Sequence, residues 1–569
     1  FLDHKIKCGD AIVGLAHMEE LEDGIATEAF KKLPGDDDIA RTLAKRNKLE
    51  KPRTQVGLEY GKQTAQKIEA ITAAYADFSK MPETKPEEIE AKQKAYQRLS
   101  GGSNWRKLKT LADIQTAQFF IPKTVEHRDH LITDGTYKDM LKGINSMQGR
   151  DAAYSIIVSN KKKFFHWFLE FPEVFANGGF TCILGNPPFL GGQRLSGTFG
   201  HDYLEWLKYQ YAPIGASDLV TYFYRRIFTI IREGGFQSLL ATNTIAQGDA
   251  REYGLAIIHE QGGTINYAIR SMRWPGLAAV EVAQVAVYKG KWNKEFILDN
   301  KKVECITSYL DDSEDLGDPF KLQKNKRKSF QGSIVFGKGF LLNEKDVKRL
   351  ISLNPKNQDV IFPYLIGRDL NNRPDQSPSR WVINFFDWDE NKCRKEYPDC
   401  YEIVEKLVKP ERQKLEPKNS TNIKRRSFWW LFGADAKNLY DSIINHEKVF
   451  VHTRVTKTHG FILKNTGIVF DGAVVVFSFS EFEKFSILQS DIHNYWSWIY
   501  SSSLKGDRRY APSDCFETFP FPQNLSTETE SELKQIGETY HEFRRQLMLK
   551  MQLGLTKTYN QFHNPQLSS

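Results

Sequence analysis

A chain of 569 residues is too long for one hydrophobic core, so roughly two to four domains are expected from size alone. With 40% apolar and 13% aromatic residues it has ample material for globular folding, so disorder is not the default. The formal charge of +8, from 79 basic and 71 acidic residues, is a mild basic bias that suits a polyanionic partner without requiring one. No apolar run approaches the roughly 18 residues of a membrane span, and the first residues are polar rather than signal-like. The six cysteines, at 8, 182, 305, 393, 400 and 515, form no C-x-x-C pair. A cytoplasmic protein with no metal and no membrane contact is expected.

In chain order, Lys5-Ile-Lys-Cys-Gly-Asp-Ala-Ile-Val13 reads as a strand end and a Gly9-Asp10 turn already inside a domain, and residues 1–23 are taken as the start of a sheet core. From 24 to 125 the pattern is polar and helical. Ile68, Ile71, Tyr75 and Phe78 fall at spacings of three and four on one helix face, and Thr84-Lys-Pro-Glu87 resembles a capping box opening a second helix. This stretch reads as a helical insertion between two strands. Arg106, Lys107 and Lys109 read first as a solvated helix face and second as phosphate contacts.

Within 126–300, the stretch from Tyr154 to Gly290 alternates helical segments with short β-rich runs at Phe180 to Leu184, Gln237 to Ala241, Ile265 to Ile269 and Val282 to Tyr288. Alternation of this kind predicts a mainly parallel sheet covered by helices. The helix expected over Asp218 to Arg232, with Val220, Phe223, Ile227 and Ile230 on one face, is assigned to the core rather than to a site. Residues 301–525 change character, with the charged run Lys321, Lys324, Lys326, Arg327 and Lys328 followed by turn-rich β segments. From 526 to 569 a helical tail is expected, capped by Thr527-Glu-Thr-Glu530 and docking through Leu533, Ile536, Tyr540, Phe543 and Leu547.

One tetrapeptide specifies chemistry. Asn186-Pro187-Pro188-Phe189 follows the apolar run ending at Leu184 and precedes Gly191-Gly192. An aromatic amine is a poor nucleophile, because its lone pair is delocalised into the ring. Activating it takes hydrogen-bond acceptors that favour a more tetrahedral nitrogen, not a strong base. Asn186 offers a side-chain oxygen and Pro187 a backbone carbonyl, and two consecutive prolines fix the backbone and remove competing N–H donors. Phe189 offers a face for a base taken out of a duplex. The bland alternative is a strand-terminating turn, which Asn and Pro also favour.

Gly185-Asn-Pro-Pro-Phe189 resembles motif IV of amino-methyltransferases that use S-adenosylmethionine. The wider context resembles the Eco57I-like, type IIG-like adenine-specific DNA methylases of restriction-modification and phage-defence systems. That context is Phe165-His-Trp-Phe-Leu-Glu-Phe171, Ser217-Asp218-Leu219 with Tyr222-Phe223, Gly234-Gly235-Phe236 with Ala241-Thr-Asn-Thr244, Trp274-Pro-Gly276, Tyr510-Ala-Pro-Ser513 and Phe516-Glu-Thr-Phe-Pro520. The tetrapeptide by itself is not base-specific, since similar motifs serve cytosine-N4, guanine-N2 and protein-glutamine methylation.

The resemblance implies an α/β fold with a Rossmann-like S-adenosylmethionine-dependent methyltransferase core, incomplete here, in which 126–300 is the catalytic part. A mixed α+β target-recognition domain and the helical tail follow, in the γ arrangement. It implies site-specific methylation of adenine N6 in double-stranded DNA through base flipping, with Asn186, Pro187, Pro188 and Phe189 catalytic. Gly9 and Asp10 take the place of motif III, whose acid contacts the cofactor adenine; read from the residues alone they are equally a Gly-Asp turn. Trp274 packs against the flipped base or supports its pocket from behind. The glycine-rich loop and ribose-binding acid expected upstream (motifs I and II) are not found, and Phe336-Gly-Lys-Gly339 sits too far past motif IV to replace them. An upstream region or a partner subunit completing the cofactor site is therefore expected. Two other readings stand beside this one: a DNA-specificity or defence-complex subunit inactive in isolation, and an RNA or protein amino-methyltransferase.

For DNA contact, Arg supplies donors matched to phosphate and guanine. The candidates are Arg425 and Arg426 in Lys424-Arg-Arg-Ser-Phe-Trp-Trp430, Arg454 and Lys457 near His459, and Lys505, Arg508 and Arg509 before Tyr510. Each cluster has the alternative of a solvated charged loop with its aromatics turned inward.

Overall fold

The computed structural model describes residues 2–51, 58–147, 149–274, 281–312, 319–417, 420–504 and 507–564. The chain divides into two compact units, Phe1–Asp315 and Leu316–Ser569. Among the described residues no helix is long and apolar enough to cross a membrane.

The first unit is built around a six-stranded sheet in the order β1-β2-β4-β3-β5-β6. Its strands are β1 (Phe180–Gly185), β2 (Ile231–Thr242), β3 (Gly263–Arg273), β4 (Glu281–Lys289), β5 (Phe296–Leu298) and β6 (Lys301–Val303). The sheet is mixed, not mainly parallel. β1 runs parallel to β2 and β3 to β5, whereas β4 lies antiparallel between β2 and β3. Connection length is the reason. Helices carry the chain from β1 to β2 and from β2 to β3, but only residues 274–280 join β3 to β4, and a parallel return needs a dozen or more. β1, β2 and β3 therefore all run the same way, and their carboxyl ends share one side of the sheet.

The helix Leu219–Ile230 lies against this sheet, with Val220, Tyr224, Ile227 and Phe228 in one core with Leu239, Ala241, Val285 and Val287. β1 is the edge strand, and Leu184 next to the motif is 75% exposed.

The helical stretch after Gly24 forms a second core, in which Ile71, Tyr75 and Phe78 are buried; the side chain of Ile68 lies outside the described residues. The expected capping box is shifted by one residue. Pro86 opens the helix Pro86–Ser100, so Glu88 rather than Glu87 reaches back, accepting from the Thr84 amide at 3.0 Å and the Lys85 amide at 3.2 Å. Residues around Asp10 form no sheet strand. Asp10 makes an isolated bridge to Phe164.

The second unit holds three small sheets. One joins β8 (Leu341–Leu342), β9 (Ile361–Leu365), β10 (Arg380–Ile383) and β14 (Val469–Phe470). Another joins β7 (Ser329–Gln331), β11 (Lys448–Thr453), β13 (Ile462–Asn465) and β15 (Val474–Phe477). The third joins β12 (Val455–Thr456), β16 (Ser502–Leu504) and β17 (Asp507–Arg509). Cys393 and Cys400 are buried in helices, and burial pushes both thiols up to about 12.

The long helix Thr527–Met551 is capped by Ser526, which accepts from the Thr529 amide at 3.1 Å, not by Thr527. Its packed face also differs from expectation. Gly537, Arg544 and Met548 are buried, while Ile536 and Phe543 are 61% and 67% exposed. Gly537 sets that rotation, because a Cβ there would lie 2.6 Å from the Phe482 carbonyl oxygen of the helix Phe482–Gln489. Arg544 then spans the junction, donating to Gln489 and Tyr559 at 3.1 Å each and to the Phe461 carbonyl.

Candidate functional site

β1 delivers Asn186 to the side of the sheet where open α/β folds place ligands, since the loops at strand carboxyl ends are free to converge there. Asn186 is exposed, with no hydrogen-bond partner among the described residues, while Pro187 beside it is buried. The corner is thus anchored by one proline and free at its amide. Phe189 is 38% exposed.

The loop after the motif is fixed from behind. The Leu219 amide donates to the Leu190 carbonyl at 2.8 Å and the Gly192 amide to the Asp218 carboxylate at 3.1 Å. Thr244, just past the end of β2, donates to the other Asp218 oxygen at 3.2 Å and pairs with Thr242 at 2.7 Å. A Cβ on Gly192 would lie 2.2 Å from the Ala216 carbonyl oxygen, so only glycine permits this closeness. Asp218 ties the motif loop to the neighbouring strand end. Its significance was not legible from spacing; it showed only as part of the resembling Ser217-Asp218-Leu219.

A cavity of about 520 Å³ opens beside the motif, lined by Gly9, Asp10, Pro188, Tyr203, Leu219 and Phe223 among others. Residues 178 positions apart in sequence, Asp10 and Pro188, therefore share one wall. The segment carrying Asp10 is held by backbone and ring donors. The Asp10 amide donates to the Lys163 carbonyl at 2.7 Å, Trp167 Nε1 to the Ala11 carbonyl at 2.9 Å and Trp206 Nε1 to the Ile12 carbonyl at 3.0 Å. Gly9 is needed for packing, since a Cβ there would meet the Phe165 ring at 2.6 Å.

Burial pushes the Asp10 carboxyl above its ordinary value, against the Ile12 amide and Tyr203 hydroxyl that favour its charged form. Burial, followed by the Asp10 charge, pushes the Tyr203 phenol up. Tyr203 stacks on Phe199, with centroids 4.7 Å apart. Phe223, expected in the core, is a wall of this cavity. The helix Leu219–Ile230 is buried nearly all round, so its residues facing the loop read like core in any periodicity. Lys161, Lys162 and Lys163 line the cavity as well, and Lys162 is paired with Asp202 at 2.6 Å.

Trp274 directly follows β3 and is half-buried; Pro275 and Gly276 lie outside the described residues. It occupies the same side of the sheet as Asn186. With β2 and β4 between β1 and β3, the two are separated by roughly 14 Å of sheet width. Among the described residues no three His, Cys, Asp or Glu side chains are grouped to hold a metal ion.

In the second unit the structure joins two of the candidate basic clusters. β12 and β17 pair Val455 with Arg509 and Thr456 with Arg508, bringing the segment of Arg454 and Lys457 against the strand of Arg508 and Arg509. Lys457 and Arg509 are exposed. Arg508 is not: it is wholly buried and donates to Asn494 at 2.8 Å and Ser497 at 2.7 Å, so it is spent on the scaffold. Around it His452, His459 and His493 are buried, and burial followed by the Arg508 charge holds all three imidazoles neutral, His493 down to about 3. Lys505 lies outside the described residues. Arg426 donates to the Leu415 carbonyl at 2.9 Å, and the Arg425 guanidinium lies 4.1 Å from the Phe336 ring centre.

Residues 62–260 match the Eco57I restriction-modification methylase family, and residues 322–523 match the target recognition domain of MmeI. The chain is 22% identical over 373 residues to DNA methyltransferase A of Bacillus subtilis (strain 168), across 62% of this chain and 40% of that protein. Among solved structures it is similar to the Type IIL restriction-modification enzyme MmeI in complex with DNA, at 16% identity and a TM-score of 0.53, covering 76% of this chain and 64% of that one. It thus spans less than two thirds of either protein. The chain carries an Eco57I-like restriction-modification methylase domain followed by an MmeI-type target recognition domain.

Proposed function

We propose that this chain methylates the exocyclic amino group of a flipped adenine, at N6, in duplex DNA, as part of a restriction-modification or phage-defence system and with S-adenosylmethionine as donor. The observation that carries the reading is the free Asn186 amide on an anchored double-proline corner, beside a cavity shared by Pro188 and Asp10. The matched methylase and recognition domains support it.

The cavity suits the proposed donor. Its volume lies within the usual range for small-molecule sites, and Asp10 sets a carboxyl acceptor in its lining, to which the amino group of a purine donates in this reading. Pro188, Leu219 and Phe223 give apolar walls for a flat ring. When bound, S-adenosylmethionine supplies a methyl group on an electrophilic sulfonium.

The chain supplies orientation. Asn186 Oδ1 and the Pro187 carbonyl oxygen accept the two N–H bonds of the target amine, which draws the nitrogen toward the tetrahedral geometry that exposes its lone pair. Phe189 stacks on the extruded base. Asp218 and Gly192 hold the loop so that both acceptors are in place before the base arrives, and fixed orientation provides most of the acceleration.

Asn186→Ala in the full-length protein is expected to lower tritium transfer from labelled S-adenosylmethionine to duplex DNA by about 100-fold or more. DNA affinity should stay within about twofold, because Asn186 makes no phosphate contact in this scheme. Ribosomal RNA and protein acceptors run in parallel test the other amino-methyltransferase reading. An Asn186→Ala enzyme of wild-type activity would sink the assignment.

One observation favours a second reading, a specificity or defence-complex subunit inactive in isolation: β1 has an uncovered outer edge with Leu184 exposed beside the motif. Calorimetry of residues 1–569 with S-adenosylmethionine separates the two. No tight binding is expected to residues 1–569 alone, and submicromolar affinity would exclude the second reading and overturn the expectation of a missing upstream part.

A further inference from the structure

The second unit contains an open cleft of about 480 Å³ whose wall includes Ile334, Phe336, Lys338, Tyr364, Arg380 and Asp471. Its charge is unbalanced. Lys338 and Arg380 have no hydrogen-bond or ion-pair partner among the described residues. The acid in the wall, Asp471, is already engaged by the Tyr364 hydroxyl and by the Ala473 amide at 2.8 Å.

Two further arginines adjoin wall residues. The Arg425 guanidinium lies over Phe336, and the Arg454 amide donates at 2.8 Å to the carbonyl of Ala473, another wall residue. The Nε atoms of both arginines are buried without a partner.

The cleft is also built, not incidental. Arg412 is fully buried and donates to the carbonyls of Val335 and Phe336 on one side and of Phe428 and Leu431 on the other. That one guanidinium clamps the loop carrying Phe336 to the turn that follows the helix carrying Arg425. Phe336 is held at φ +47° and 37% exposed, a left-handed conformation that a bulky L residue avoids unless its surroundings impose it. The clamp thus presents an aromatic face with an arginine stacked on it.

Net charge agrees with the cleft. Residues 1–315 hold 41 basic and 41 acidic side chains, whereas residues 316–569 hold 38 and 30, so the whole formal +8 belongs to the unit with the cleft.

We infer that this cleft is where the second unit grips duplex DNA, with Lys338, Arg380 and Arg454 on phosphate oxygens and Arg425, aligned by Phe336, on a base edge. The inference rests on the proposed DNA substrate and names the residues that hold it. A stacked guanidinium keeps its plane and can donate to two acceptors of one guanine, whereas a phosphate contact carries no sequence information.

The test uses the full chain and a random-sequence duplex of about 30 base pairs, titrated over a range of salt. Arg380→Gln should weaken binding about tenfold and reduce the slope of log affinity against log salt by about 1, and Arg380→Lys should restore the slope. Arg425→Gln should relax the methylated sequence at one position when cellular DNA is sequenced for methylation. Lys348→Gln, which removes a surface cation paired with Glu344 at 2.7 Å, should change nothing. Wild-type affinity, slope and methylated sequence in the Arg380 and Arg425 variants would overturn the inference while leaving the DNA substrate standing. A wild-type chain that neither binds duplex nor methylates it would overturn the substrate reading, and this inference with it.

Discussion

The two units position their working residues by opposite means. In the first, a strand end and close backbone packing place Asn186, and glycine at 192 lets one loop press against another. In the second, buried side chains tie separate segments together, Arg412 bridging four carbonyls and Arg508 fastening β17 to Asn494 and Ser497 of the helix Asp491–Tyr500. The first unit is electrically neutral and the second carries the excess positive charge. Chemistry that relies on neutral acceptors needs geometry more than charge. On the proposed reading, a unit whose loops meet a polyanion accepts the desolvation cost of buried cations in order to hold those loops still.

The sharpest way to break this contrast is Arg412→Ala. It leaves four buried carbonyls without their donor and should destabilise the second unit by about 3–5 kcal/mol. Hydrogen exchange is expected to rise around residues 335–336 and 428–431 and to stay unchanged around β1 and β2. Equal loss of protection in both units would erase the distinction.

Acid should separate the units next. In the unfolded chain histidine titrates near 6.5, whereas in the fold His493 stays neutral down to about 3, with His452 and His459 also depressed. Protons then bind the unfolded chain first. The histidine contribution to the stability of the second unit is complete above about pH 6.5 and falls as pH drops toward 3, His493 alone contributing about 3 kcal/mol of loss by pH 4. In the first unit the His166 and Lys109 contacts hold Asp113 below the usual carboxylate range despite its burial, so its contribution is lost only under more acidic conditions. Following tryptic cleavage in each unit between pH 7 and 4 checks the order, and simultaneous opening would contradict it.

A smaller effect is expected from Gly192→Ala. The added Cβ meets the Ala216 carbonyl, so the motif loop must shift, costing about 1–3 kcal/mol and lowering methyl transfer without altering DNA affinity. Unchanged kcat would show that the close contact does not position Asn186. The smallest is Leu184→Gln, which should change stability by less than about 0.5 kcal/mol in denaturant titration, because the side chain is 75% exposed.

Legibility in the sequence followed the same division. The apolar run before Asn186 gave β1 nearly to the residue, since a strand ending in a double proline has few alternatives. The helix from Leu219 was equally plain. The wall role of Phe223 was not, because a helix buried on most sides shows no contrast between core and cavity. The capping shift to Glu88 depended on which residue Pro86 would make the first of its helix, and the packed face of Thr527–Met551 was rotated by a single glycine contact. In the second unit, Arg508 and Arg509 are adjacent in sequence, yet one is buried and the other exposed. Strand alternation sends them to opposite faces, and composition assigns neither.

By itself the sequence determined the double-proline corner at the end of β1 and the helix that starts at Leu219, because proline rigidity and local hydrophobic pattern act over a few residues. Only the tertiary structure decided that Asp10 and Pro188 share a wall, that β4 inserts antiparallel, and that Phe336 is held out by Arg412. Those outcomes depend on contacts between residues tens to hundreds of positions apart, whose energies no local pattern encodes.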